Sequence, residues 1–244
     1  MRLTRCHVEV PLAIGAILAL PDSAAAHLVR VLRLREGDDC VLFNGDGHDY
    51  AARIATAGKR EVQVEVLSRL AVDNESPLHI TLVQGIARGE KMDLILQKAT
   101  ELGVASFVPV LAERTEVKLD ADRTLKRMAH WRSVIESACE QSGRARVPAL
   151  AEPATLVAVP GVLRADALKL TLDPGGEHSL PGLAAPASAA VAIAIGPEGG
   201  WSPRDREALR GAGFSGLRLG PRVLRTETAG LAAIAALQSR FGDF

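Results

Sequence analysis

The sequence predicts an α/β protein built on a mostly parallel sheet, preceded by a smaller β-rich unit. Three observations predict it. From residue 78 onward, apolar strand-like runs alternate with segments of helical spacing, the pattern of a parallel sheet with helices on both faces. Residues 190–195, AVAIAI, are apolar at every position, as a strand covered on both faces must be. Before residue 71, short runs of period-two alternation are instead separated by turn residues.

The β-rich unit reads as follows. Residues 8–12, VEVPL, form a short strand, and Pro21-Asp22-Ser23 opens a helix carrying Leu28, Val31 and Leu32. Strands over 39–43 and 48–56 are joined by Asn44-Gly45-Asp46-Gly47, residues that tolerate the positive φ a hairpin needs. Ala57-Gly58-Lys59-Arg60 makes the next turn, and residues 61–68, EVQVEVLS, alternate like a half-buried strand. Residues 71–77 are polar and end in Pro77, so the domains are expected to be 1–72 and 73–244.

The second part opens with a strand over 78–84. Gly89-Glu90-Lys91 starts a helix whose apolar side is Met92, Ile95, Leu96, Ala99 and Leu102, and Gly103 closes it. A strand over 106–110, a helix over 124–142 and strands over 168–172 and 190–195 follow. Ser202 caps a helix with Pro203 in its first turn and Asp205 reaching back. The last helix covers 226–240, with Thr226 as its cap and Glu227 in its acidic first turn.

Composition narrows the function classes. The 244 residues carry 29 basic and 29 acidic side chains, so no global charge recruits nucleic acid. Basic residues do cluster locally: Arg30, Arg33 and Arg35; six between residues 122 and 146 against three acids; and Arg218, Arg222 and Arg225. Three aromatic residues in a hundred are too few for a broad base-stacking platform. Cys6, Cys40 and Cys139 are odd in number and widely spaced, which reads as reduced thiols in a cytoplasmic protein. No signal peptide and no bilayer-spanning run is read from the sequence, the longest apolar candidate being broken by Pro186. The six histidines have no partners at metal-ligand spacing, so no metal is expected.

Two loops carry the chemistry. Residues 195–201, IGPEGGW, follow the most apolar strand and precede a capped helix. Their glycines allow backbone amides close to a ligand, and open α/β sheets bind ligands at that edge. It is neither a Walker loop nor GxGxxG, and a tight turn without a ligand reads equally well. Residues 219–229, LGPRVLRTETA, place Arg222 and Arg225 around an apolar pair just before the last helix, where a plain cap needs neither arginine.

Together these segments resemble the ribosomal small-subunit RNA uridine-N3 methyltransferases, a branch of the SPOUT superfamily. The resemblance runs through HLVRVLRLREGD and LFNGDG, ESPLHITLVQGIARGEKMDLILQKATELGV, AERTEVKL and ACEQSGRARVP, covering nearly the whole chain in order. It implies a PUA-like β-barrel at the amino terminus and a C-terminal domain with a trefoil knot, a topology few folds possess. It implies S-adenosylmethionine as cofactor, 16S ribosomal RNA in the small subunit as substrate, and a homodimer. Carried over, the cofactor residues are Leu172; Ile195, Gly196, Gly199 and Gly200; and Leu219, Gly220, Leu224, Thr226, Thr228 and Ala229. Arg225 is the candidate for stabilising charge on the uracil oxygens and Glu227 for accepting the N3 proton, with Glu198 in reserve. Arg30, Arg33, Arg88, Lys91 and Arg222 are the candidates for RNA contact. Three other readings remain open at this point: ribose 2′-O-methylation by a neighbouring SPOUT branch, a non-catalytic RNA-binding protein and, more distantly, a dinucleotide-dependent enzyme.

Overall fold

In the computed structural model, which describes residues 3–58, 61–117 and 120–244, the chain separates into two units. One holds residues 1–75 together with 136–147, and the other holds 76–135 and 148–244. The first unit therefore takes in a later piece of the chain, the end of a long helix and the turn after it.

The first unit is a five-stranded sheet. Its strands are β1 (Arg5–His7), β2 (Ile17–Ala19), β3 (Asp39–Phe43), β4 (His48–Ala57) and β5 (Val62–Ala71), in the spatial order β1-β3-β4-β5-β2. The β3–β4 hairpin forms as the Asn-Gly-Asp-Gly signal requires, with Gly45 and Gly47 at φ 88° and 91°. The strand expected at 8–12 is not there; β1 lies earlier, at Arg5–His7, pairing parallel with β3 from Arg5 opposite Val41. The reason is tertiary. Arg5 is buried, donates to both carboxylate oxygens of Asp49 and to the carbonyls of Cys139 and Arg144, and lies 4.5 Å above the Phe43 ring. No local pattern marks an arginine as a core strand residue. The turn expected at 57–60 falls partly outside the described residues.

The helix opened by Pro21 is α1 (Asp22–Ala25), which continues as a wider turn over Ala26–Val31. There the Leu32 amide donates to the His27 carbonyl, five residues back, at 3.0 Å. Leu28 plugs the core formed by Cys40, Leu42, Ile54, Val64 and Val66.

The second unit is an all-parallel sheet of β6 (His79–Gly85), β7 (Val104–Leu111), β8 (Ala149–Leu150), β9 (Ala154–Thr155), β10 (Leu168–Leu172), β11 (His178–Ser179), β12 (Ala190–Ile195) and β13 (Ser215–Arg218). The order is β11-β13-β10-β12-β6-β7-β8, with β9 also beside β7. Strand β12 lies between β10 and β6, and all six of its residues are buried, as its unbroken apolarity demands. Its helices are α2 (Glu90–Glu101), the first part of α3 (Ala121–Ser142), α4 (Pro203–Gly211) and α5 (Thr226–Phe241). Helix α4 packs Leu209 against Ala192 and Ala194 on one face, while Gly230 of α5 faces Ile195 and Gln84 on the other. The sheet is thus covered on both sides. Buried Gln238 of α5 donates to the Leu102 carbonyl and accepts from Ser76, fixing the end of α5 against the end of α2.

Candidate functional site

The carboxyl ends of β10, β12 and β13 open into a cavity of about 390 Å³. Most of its walls come from three chain segments: Leu172 to Pro174 at the end of β10, Ile195 to Trp201 at the end of β12, and Leu217 to Ala229 around the entry to α5; Lys91 of α2 and Arg206 of α4 complete them. Leu172, Ile195, Leu219 and Leu224 give it apolar sides, and Arg206, Arg222, Arg225 and Lys91 set cations beside Asp173, Glu198 and Glu227.

Glycine sets the shape of the floor. A Cβ on Gly85 would lie 2.5 Å from Pro197, and one on Gly196 would lie 3.2 Å from the Gly200 backbone. The loop therefore folds back on itself and against β6 at backbone distance, which any side chain would prevent. Gly200 (φ 65°) and Gly220 (φ 97°) supply the left-handed turns on either side of the cavity.

A hydrogen-bond chain joins these parts. Gln84, buried at the end of β6, donates to Thr226 Oγ1 at 3.1 Å, and Thr226 Oγ1 donates to the Gly196 carbonyl at 2.6 Å. The expected capping role of Thr226 is corrected by this geometry. Arg225 occupies the cap position with extended backbone and no side-chain cap, and Thr226 is the first helical residue. The hydroxyl is spent on Gly196 instead. Ser202, in contrast, caps α4 as expected, with Asp205 completing a reciprocal box. Asp205 also accepts the Glu113 amide.

Two further arms hold the glycine loop. Arg114 donates to the Gly199 carbonyl at 2.9 Å. Glu198 Oε1 accepts the Arg88 amide at 3.0 Å and Lys91 Nζ at 3.3 Å. Burial opposes ionisation of Glu198, yet those donors and its own backbone amide hold its carboxyl below the usual range. Glu227 differs: its Oε2 is buried at the cavity with no hydrogen-bond partner among the described residues. Trp201 closes the inner end, donating to Thr171 at 3.0 Å.

Of the residues named from sequence, Leu172, Ile195, Gly196, Gly200, Leu219, Gly220, Leu224, Arg225, Thr226, Glu227 and Ala229 line one cavity, as do Lys91, Arg222 and Glu198. Gly199 and Thr228 do not line it: Gly199 presents its carbonyl to Arg114, and Thr228 is exposed on the first turn of α5. Arg88 is exposed and paired with Glu116 at 2.6 Å. Arg30 and Arg33 are exposed in the first unit. Sequence reasoning missed Gln84, Asp173 and Arg206. Asp173 and Arg206 form an ion pair at the rim, and Gln84 signals only as a polar residue ending an apolar strand.

Fold and site together match one class of protein, the RNA methyltransferases: the profile of their methyltransferase domain fits residues 74–238, and that of their PUA domain fits residues 20–67. A methyltransferase of Legionella pneumophila, solved with bound SAM, superimposes with a TM-score of 0.95 at 40% identity over all of both chains. The ribosomal RNA small subunit methyltransferase E of Neisseria gonorrhoeae, bound to S-adenosyl methionine, superimposes with a TM-score of 0.91 at 39% identity, again over all of both chains. A relative of that name from Buchnera aphidicola (subsp. Schizaphis graminum) is 31% identical over 99% of this chain and 98% of its own length. The chain belongs to the ribosomal RNA small subunit methyltransferase E family.

Proposed function

We propose that this protein methylates N3 of a uridine in 16S ribosomal RNA of the small subunit, with S-adenosylmethionine as methyl donor. The observation that carries the proposal is the glycine-floored cavity between Ile195–Gly200 and Leu219–Ala229, in a chain whose relatives were solved with that cofactor. The residues present fit it. The volume is in the range of a small-ligand pocket, and Gly200 and Gly220 present bare backbone at its wall, where an added Cβ would meet nothing within 4 Å.

When bound, the cofactor supplies a methyl group on a sulfonium. The protein's share is positioning and charge. Uracil N3 must lose its proton before it can attack, and negative charge then spreads to the adjacent oxygens. Arg225, exposed at the cavity mouth, is placed to stabilise that charge. Glu227, with an unpartnered carboxylate oxygen at the cavity, is placed to accept the proton. Glu198 is engaged by two donors and serves to hold the loop.

We assign RNA grip to residues 1–72, as a PUA-like barrel, and methyl transfer to residues 73–244, as a trefoil-knotted domain. Arg30, Arg33, Arg88, Lys91 and Arg222 contact RNA, and the enzyme works in the cytoplasm as a homodimer. Among the described residues, no helix is long and apolar enough to cross a membrane and no group of side chains is arranged to hold a metal.

The test is to incubate the protein and labelled S-adenosylmethionine with small subunits from cells lacking the activity, then map the label. Label on uridine N3 supports the proposal, and label on a ribose sinks it. Arg225→Ala is expected to lower kcat by about 10²- to 10³-fold, the usual effect of removing one charge-stabilising donor. Glu227→Gln should lower kcat by about 10²- to 10⁴-fold with S-adenosylmethionine binding retained, the usual effect of losing a general base.

A further inference from the structure

The turn after the first helix is built outward. Leu28 is fully buried, and Val29 and Leu34 pack on the same core, so residues 30–33 between them are carried away from it. Val31 and Leu32 are 67% and 42% exposed at the turn's tip. Arg33 sits at φ 60°, a left-handed conformation that favours glycine and strains a residue with a Cβ. Closing bonds hold it there: Leu32 N–H to the His27 carbonyl and Leu34 N–H to the Leu28 carbonyl, both 3.0 Å.

The arginine side chains around this tip, Arg30, Arg33 and Arg35, are exposed and form no ion pair among the described residues. The nearby carboxylates accept backbone amides and no arginine side chain: Asp38 takes the Arg35 amide at 2.7 Å, and Glu36 takes the Ala57 amide at 3.0 Å. An exposed apolar pair flanked by exposed arginines whose side chains no carboxylate holds suits a polyanion that also offers apolar faces. RNA has both, phosphates outside and base faces within its stacks.

We propose that Val31 and Leu32 form a wedge that enters the base stack of the RNA substrate, while Arg30, Arg33 and Arg35 hold the phosphates on either side. The inference rests on the RNA-methyltransferase reading above and adds a base-contacting element to it. Phosphate contacts alone would leave the apolar pair without a role. An inserted aliphatic pair unstacks a step locally, as apolar wedges do in bent nucleic acids. The strain at Arg33 is the local consequence of aiming an arginine where glycine would be easier.

The experiment uses the full-length protein and unmethylated small subunits, with affinity measured across a salt series and S-adenosylmethionine binding measured by calorimetry. Val31→Ser with Leu32→Ser replaces exposed apolar groups and should leave folding and cofactor affinity unchanged. It should raise KM for subunits roughly tenfold, the scale of one lost base contact, with an unchanged salt slope. Arg33→Gly should unfold at the same or a higher urea concentration, because strain is relieved, and yet should reduce the salt slope by about one. The wedge is overturned if the double variant matches the parent, or if its loss of affinity comes with a shallower salt slope. Normal subunit methylation with lost binding of some protein partner would likewise overturn it. If the parent protein neither binds subunits nor methylates them, while still binding cofactor, the reading beneath it fails as well.

Discussion

The first unit tolerates a side chain at positive φ where the second uses glycine. Arg33 and Gly200 have nearly the same φ, 60° and 65°. At Gly200 the backbone itself borders the cavity, so a side chain would have no function there and would strain the loop. At Arg33 the side chain is what projects into solvent, and the turn bears the strain to place it. The cores differ in the same sense. The first is pinned by a buried arginine with four hydrogen bonds, to Asp49, Cys139 and Arg144, whereas the second relies on apolar strands and on close backbone contacts made at glycine. What the difference teaches is that side-chain chemistry organises one unit and its absence organises the other.

The largest expected effect falls on the first. Arg5→Ala leaves Asp49 and two carbonyls without their donor and should destabilise the unit by about 3 kcal/mol, read from urea unfolding. A cost below about 1 kcal/mol would break the comparison. Next, Gly85→Ala places a Cβ 2.5 Å from Pro197 and should weaken S-adenosylmethionine binding about ten- to a hundredfold, on the scale of an overpacked contact. Gly200→Ala meets nothing within 4 Å and bears only the left-handed strain, so its effect should be about tenfold. Equal effects would show that close approach is not what the loop needs.

Thr226→Val removes the link between Gln84 and Gly196 and should cost about 1 kcal/mol in cofactor binding, with Thr226→Ser restoring it. The smallest effect concerns pH. Burial pushes the Cys6 and Cys139 thiols up to about 12 and Cys40 to about 11, from an ordinary 9.0. Their contribution to stability is complete below pH 9.0 and is lost as pH rises toward those values, because thiols ionise first in the unfolded chain. Urea midpoints should fall between pH 9 and 11, less steeply in Cys139→Ala, and the native thiols should resist labelling at pH 8.

Much of the second unit was legible. Period and composition located β12, α2 and α5, because burial on both faces or on one helical stripe leaves a direct imprint on residue order. The two glycine-containing segments of the cavity were legible too, although their meeting was known only from resemblance. Gln84, Asp173 and Arg206 left no such imprint. Each is ordinary in its own neighbourhood, and each matters because sheet order brings β6, β10 and α4 to one edge. The misplaced first strand has the same origin: residues 8–12 alternate attractively, but pairing with β3 and the Asp49 carboxylate select Arg5–His7.

The sequence by itself determined the fold class, the positions of most helices and strands, the family, and the two loops from which the cavity is made. Only the tertiary structure decided that Thr226 bonds Gly196 instead of capping its helix, that Glu198 is held as an ionised brace while Glu227 keeps an unpartnered oxygen, and that residues 136–147 belong with the first unit. The physical reason is one of range. Propensity and periodicity act between residues a few positions apart and are written in their order. A hydroxyl, carboxylate or helix end takes its partner from whatever the fold brings within 3 Å, and that partner lies tens of residues away along the chain.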